Sequence, residues 1–230
     1  MTEDSLSMKL NAAREAARHV RDGMVVGLGS GTTVKIFIDV LAERVRQENL
    51  TIFFVSSSID TSLYAAGKGL LEVPLHEYTP EVSFDGADTV LPDRSLIKGG
   101  GGCLLREKIV DYYSKEYVVI VDATKVAETP RNLNVPVEVH PQAFKKVMEE
   151  LRKSYGAVNV TLRTYEKGKL GPVLTDNGNF ILDALFDELK DPLRLELSLK
   201  SVPGLIETGI FSVKKPSKII VGYLHGVQVI

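Results

Sequence analysis

Apolar positions in the first half of the chain fall into two alternating patterns. Leu6, Leu10, Ala13, Ala17 and Val20 lie at helical spacing behind Asp4 or Ser5, either of which can cap the helix. Arg21-Asp22-Gly23 reads as a turn. Residues 24–28 (MVVGL) and 51–55 (TIFFV) are short continuous apolar runs, as in strands buried on both faces. Between them lie a glycine loop, 29–33, and an apolar-periodic helix from Val34 to Val45. A short helix ending near Gly67 follows SSSIDT, and further strands are predicted at 70–73, 82–85 and 117–121. Leu104, Leu105, Ile109 and Val110 predict a helix over 104–114, starting near Cys103. Buried strands alternating with helices mean a parallel sheet covered on both faces.

The pattern changes after about residue 130. PRNLNVPVEVHP holds three prolines in twelve residues and reads as a linker. A helix is predicted from Gln142 to about Ser154, and 157–165 alternates like a half-exposed strand. TDNGNFILDALF, 175–186, places an Asn-Gly turn between extended stretches, which suits a hairpin. A helix near 191–200 and Val202-Pro203-Gly204 follow, and IIVGY and VQVI are strands that return to the first sheet. The expected fold is α/β. A Rossmann-like parallel sheet with helices on both faces spans 1–130 plus 205–230, and a smaller α+β domain, 131–204, is inserted near the C-terminal part.

Composition adds exclusions. With 44% hydrophobic and 25% charged residues, the chain can bury a sizeable core. A net charge of −2 offers no basic field to nucleic acid or an anionic membrane. The single cysteine, Cys103, excludes an internal disulfide and a multi-cysteine metal site. His19, His76, His140 and His225 have no metal-binding spacing. MTEDSLSMKL lacks the pattern of a signal peptide, and no apolar run reaches the roughly 18–20 residues of a membrane span. A cytoplasmic chain with no membrane and no nucleic-acid partner is the expectation.

Polar loops at predicted strand ends carry the candidate chemistry. In Gly29-Ser30-Gly31-Thr32-Thr33, backbone N–H groups and the Ser30, Thr32 and Thr33 hydroxyls could hold a phosphate. A dinucleotide site wants an acidic residue about 20 positions on. Ser56, Ser57 and Ser58 stand there instead, and no Gly-Lys-Ser/Thr completes a Walker pattern. Asp85-Gly86-Ala87-Asp88 sets two carboxylates about a turn. They could cap local N–H groups, divide acid and base roles, or bind Mg²⁺, although no third carboxylate is near in sequence.

The run KGGGGCLLREK, from Lys98 through Gly99, Gly100, Gly101 and Gly102 to Glu107 and Lys108, feeds glycines into a helix N-terminus. Its free N–H groups form an anion site, and Glu107 in the first turn can be a general base. Arg106 and Lys108 read as surface charges or ion-pair partners, and Cys103 as a small apolar filler. Lys125, in VDATK, would reach the same strand edge as a phosphate or oxyanion contact.

The set GSGTT, DGAD, KGGGG-x-LLREK, VDATK and TDNGN, in this order and spacing, resembles ribose-5-phosphate isomerase of type A over essentially the whole chain. The resemblance implies interconversion of ribose 5-phosphate and ribulose 5-phosphate, in the non-oxidative pentose phosphate pathway, with no metal or other cofactor. It implies Glu107 as the base that carries a proton between C2 and C1 through an enediolate. Lys98 and the N–H groups of Gly99, Gly100 and Gly101 would serve the oxyanion. Asp85 and Asp88, flanking Gly86 and Ala87, would hold sugar hydroxyls, and one would assist ring opening. Ser30, Gly31, Thr32 and Thr33 would hold the phosphate or neighbouring hydroxyls, with Lys125 and Lys9 adding positive charge. A homodimer or homotetramer, with the insert as interface, is implied too.

One departure stands out: Thr89 occupies the position where the family usually reads glutamate after Asp-Gly-Ala-Asp. The same fold family includes amino-sugar phosphate deaminases and coenzyme A transferases. The former would call for a histidine in the acid/base set, the latter for a nucleophilic glutamate in another loop. A non-catalytic sugar-phosphate sensor would usually accompany a DNA-binding domain, and no helix-turn-helix segment is evident.

Overall fold

The computed structural model describes residues 2–165, 168 and 170–230. In chain order the elements are α1 (Glu3–Ala17), β1 (Val25–Leu28), α2 (Thr32–Glu48), β2 (Phe53–Ser56), α3 (Ile59–Gly67), β3 (Leu71–Glu72), β4 (Val82–Asp85), β5 (Thr89–Val90) and β6 (Leu96–Ile97). There follow α4 (Leu104–Tyr113), β7 (Glu116–Asp122), β8 (Arg131–Val139), α5 (Phe144–Lys153), β9 (Asn159–Leu162), β10 (Phe180–Glu188) and α6 (Pro192–Leu199). The chain ends with β11 (Leu205–Thr208), β12 (Ile210–Phe211), β13 (Lys218–Tyr223) and β14 (Gly226–Val229).

The chain divides into two units. The first comprises Met1–Ala87, Arg106–Val126 and Pro216–Ile230. Its seven-stranded sheet runs β14-β13-β7-β4-β1-β2-β3, parallel except for the β13–β14 pair. From β1 the chain builds outward through β2 and β3 on one side, and through β4, β7 and β13 on the other. The order therefore reverses between β1 and β4, and ligands of open α/β sheets bind outside the strand ends at such a point. Val26 and Leu28 of β1 join a core with Phe37, Ile38 and Leu41 of α2 and the buried alanines of α1. Gly27, between them, faces the other side of the sheet, where a Cβ would lie 2.7 Å from Ser83 and 2.8 Å from Val110 of α4. Helices thus cover both faces, as expected.

The second unit comprises Asp88–Leu105 and Ala127–Lys215. It holds two antiparallel sheets, β11-β8-β10-β9 and β12-β6-β5. It takes in 88–105 and 127–215, where the sequence suggested an insert of 131–204. The reason is pairing: Thr89 and Ile210 both register with Ile97, which ties β5 and β6 to β12.

The supposed linker at 130–141 is a correction. Residues 131–139 form the nine-residue strand β8, inside its sheet between β10 and β11. Val135, Val137 and Val139 are fully buried in this unit's core with Leu182, Ala184 and Phe186 of β10. Pro136 fits because it lies beyond the last β11 pair, Thr208↔Val137, and its carbonyl accepts from Gly209 N–H at 2.7 Å. The expected hairpin at 175–186 is also narrower than drawn. Gly178 turns the chain with φ +77°, but among the described residues pairing across the turn stops at the Leu174↔Phe180 bridge and the Thr175 N–H bond to Asn179 carbonyl at 2.9 Å. The long partners of β10 are β8 and β9.

Candidate active site

In the first unit the loops after β1 and β4 meet at the sheet's reversal point. Asp85, the last residue of β4, is fully buried. Its Oδ1 accepts from Gly86 N–H at 2.7 Å and Ser30 N–H at 3.2 Å. Gly29 is required there, because a Cβ would overlap the Asp85 carboxyl. Ser30 turns its hydroxyl into a cluster with Ser57 (2.8 Å), Ser58 (2.9 Å) and Thr61 (3.3 Å). Thr61 Oγ1 donates in turn to Gly29 carbonyl at 2.8 Å. Ser57 and Ser58, which stand where a dinucleotide site wants an acid, therefore brace the loop. Sequence reasoning did not see this role, although consecutive serines opening a helix were its signal.

Gly31 caps α2 with φ +97° and no side-chain cap, so the first N–H groups of a 17-residue helix lack a capping side chain. Lys9, only 9% exposed, donates to Thr32 Oγ1 at 3.0 Å and lies 4.0 Å from Asp122 Oδ2. Cationic Lys9 thus stands at the positive end of a helix dipole, a combination that suits an anion. Lys125 lies half-buried in the 3₁₀ turn Ala123–Lys125 after β7, and it makes no hydrogen bond or ion pair among the described residues.

Glu107 lies in the first turn of α4 and is 5% exposed. Burial, then the negative charges of Asp111, Asp85 and Glu107, hold the Tyr117 phenol well above its usual range. Asp85 and Glu107, distant in sequence, therefore act on the same buried hydroxyl. Asp111, one helical turn beyond Glu107, and Tyr117 were not singled out in the sequence.

In the second unit, Asp88 precedes β5 and the glycine run follows β6. Asp88 N–H donates to Ile97 carbonyl at 2.9 Å, and its Oδ2 accepts from Gly100 N–H at 2.7 Å. Lys98 is 2% exposed, its backbone N–H bonded to Gly209 carbonyl at 2.8 Å and its Nζ 5.4 Å from the Phe211 ring centre. Gly99 and Gly102 have φ of +103° and +79°, so the turn itself demands glycine there. At Gly100 a Cβ would sit 2.7 Å from Asp88 Oδ1, and at Gly101 it would meet nothing within 4 Å. Cys103 is half-buried and donates to Gly101 carbonyl at 3.6 Å.

The expected residues thus gather in two sets. Ser30, Gly31, Thr32, Lys9, Asp85 and Glu107 belong to the first unit, with Gly86 and Ala87 closing its β4 loop and Thr33 in the first turn of α2. Asp88, Lys98, Gly99, Gly100 and Gly101 belong to the second. Thr89 opens β5 opposite Ile97, and the backbone bond that seats Asp88 does not use its side chain. Among the described residues no group of three or more His, Cys, Asp or Glu side chains is placed to hold a metal ion.

Comparison with known proteins gives a consistent result. A family model described as ribose 5-phosphate isomerase A (phosphoriboisomerase A) matches residues 53–226. The curated ribose-5-phosphate isomerase A of Methanococcus aeolicus is 43% identical over 217 residues, 93% of this chain and 90% of its own. That of Methanocaldococcus jannaschii is 42% identical over 223 residues, 96% of each chain. The solved structure of the M. jannaschii isomerase superposes with a TM-score of 0.93 at 41% identity, covering 98% of this chain and 99% of that one. A D-ribose-5-phosphate isomerase solved in complex with phospho-erythronic acid gives 0.94 at 39% identity, covering 100% and 99%.

Proposed function

The chain belongs to the ribose 5-phosphate isomerase A family and interconverts D-ribose 5-phosphate and D-ribulose 5-phosphate, and we propose that Glu107 is the base of that reaction. The observation that carries this reading is a carboxylate only 5% exposed in the first turn of a helix that follows the glycine run. A base in that setting is shielded from water, and the helix dipole steadies its anion.

Glu107 removes the proton from C2 of the open-chain aldose. The electron pair forms the C1–C2 double bond, and negative charge moves onto the carbonyl oxygen. Lys98 and the N–H groups of the glycine loop stabilise that charge. Glu107 then returns the proton to C1, giving the ketose once the hydroxyl proton has passed between O2 and O1. Asp85 and Asp88 hold sugar hydroxyls, and one of them transfers the proton that opens the ring. The phosphate is held by Ser30, Gly31, Thr32 and Thr33 at the α2 N-terminus, with charge from Lys9 and Lys125.

A single base moving one proton between neighbouring carbons predicts intramolecular transfer. Ribose 5-phosphate deuterated at C2, turned over in ordinary water, should yield some ribulose 5-phosphate with deuterium at C1. Complete loss of label at every stage of the reaction would argue for two separate groups.

We also infer a cytoplasmic homodimer or homotetramer working without a cofactor. No helix among the described residues is long and apolar enough to cross a membrane. Leu193 and Leu197, one turn apart on α6 of the second unit, are 44% and 57% exposed and would suit a contact between subunits.

A further inference from the structure

Arg163 follows β9 directly and has no place in the chemistry above. Its Nη1 donates to the carbonyls of Gly99 and Gly100, at 2.9 and 3.0 Å. Its Nε donates to Asp183 Oδ2 at 2.8 Å and its Nη2 to Asp183 Oδ1 at 2.5 Å. Asp183, on β10, also accepts from Asn134 Nδ2 of β8 at 3.0 Å. The two charged side chains are only 17% and 18% exposed. One planar guanidinium thus grips a carboxylate with one edge and two successive loop carbonyls with another, which an ammonium cannot do.

We propose that Arg163, held by Asp183, is a positioning residue for the isomerisation, fixing and polarising two glycine-loop peptides, one whose N–H (Gly100) holds Asp88 and one whose N–H (Gly101) meets the reacting oxygen. In a trans peptide the C=O and N–H point to opposite sides. Anchoring the carbonyls of Gly99 and Gly100 on Arg163 therefore turns the N–H groups of Gly100 and Gly101 the other way. That of Gly100 reaches Asp88 at 2.7 Å, and that of Gly101 meets no acceptor among the described residues. A carbonyl bonded to a cation makes the N–H of its own peptide a stronger donor. Consecutive glycines have no side chains to hold these peptides in one orientation. Arg163 supplies that restraint from strands β9 and β10. The inference rests on the reading of the loop as donor to the enediolate oxygen.

The test uses the full chain with Arg163→Ala, Arg163→Lys and Asp183→Asn. The probes are phospho-erythronic acid, whose planar anionic carboxylate imitates the enediolate, its neutral alcohol counterpart erythritol 4-phosphate, and inorganic phosphate. Wild type should bind the acid more tightly than the alcohol. Arg163→Ala should lose that preference and lower kcat by about 10- to 100-fold. KM and inorganic phosphate affinity should stay within about threefold. Added guanidinium ion should restore part of the kcat of Arg163→Ala, whereas the lysine variant should stay slow. A preference retained in Arg163→Ala with unchanged kcat overturns the inference alone. Equal affinity for acid and alcohol in wild type overturns the loop reading and the inference together. If the apparent kcat of every variant falls only in proportion to lost folded protein, with KM and phosphate affinity unchanged and no guanidinium rescue, Arg163 is a structural strut and the inference falls.

Discussion

Gly101 is the one glycine of its run for which the fold supplies no demand. Gly99 and Gly102 take positive φ, and Gly100 lies against Asp88, but a methyl at 101 would enter open space. Gly101→Ala should therefore keep the melting temperature and lower kcat/KM, because the added methyl would contest the space that the sugar needs. Gly99→Ala should instead destabilise the protein by roughly 1–3 kcal/mol, through its backbone conformation, and thermal unfolding of the two variants separates the cases. Thr89 carries a second expectation. The bond that seats Asp88 runs from its own N–H to Ile97, so Thr89→Glu should change kcat/KM by less than about threefold. A larger gain would show that the family's glutamate does positional work absent from this chain.

At the scale of elements, two signature motifs act through partners far away in sequence. Ser30 is braced by hydroxyls from the start of α3, and Thr61 ties that cluster to Gly29. Thr61→Val should cost about 1–3 kcal/mol in a denaturant titration, as it strands a buried carbonyl, and it should raise KM as the phosphate loop loosens. TDNGN is likewise a tether. Thr175, Asn177 and Asn179 all donate to Glu138 Oε1, at 2.9, 3.1 and 2.8 Å, and Glu138 is fully buried on β8. That partner lay in the stretch which reads as a linker, where prolines hide the alternation of Val135, Val137 and Val139. Hydrophobic pattern made β1, β2 and β7 legible because each carries a near-continuous apolar run. Of the two-residue strands, β3 lies in the predicted stretch 70–73, whereas β5, β6 and β12 were not legible, since they are defined by pairing with one another across the sequence.

For the whole molecule, the ordered loops identified the chemistry better than they identified the boundaries. Asp85, Lys98 and Glu107 announce themselves by standing at strand ends or helix starts among glycines. Arg163 and Asp183 do not, because each is an ordinary charged residue in an alternating stretch until Arg163 is seen to hold the loop carbonyls and Asp183 to hold Arg163. The boundary at 131 was drawn where composition changes, whereas the second unit begins at Asp88 because strands pair across the sequence. Assembly is the remaining expectation at this scale. Leu197→Glu should shift the mass seen by light scattering toward monomer, and an unchanged mass would place the subunit contact away from α6. The central claim is that one buried carboxylate does the proton transfer, and the most direct measurement compares ribose 5-phosphate turnover by wild type and Glu107→Gln, each with chelator present and absent. The account predicts wild-type turnover indifferent to chelator and a fall of at least about 10²-fold in the variant, with phospho-erythronic acid still bound. Turnover that survives the substitution would contradict it and pass the role of base to Asp85 or Asp88.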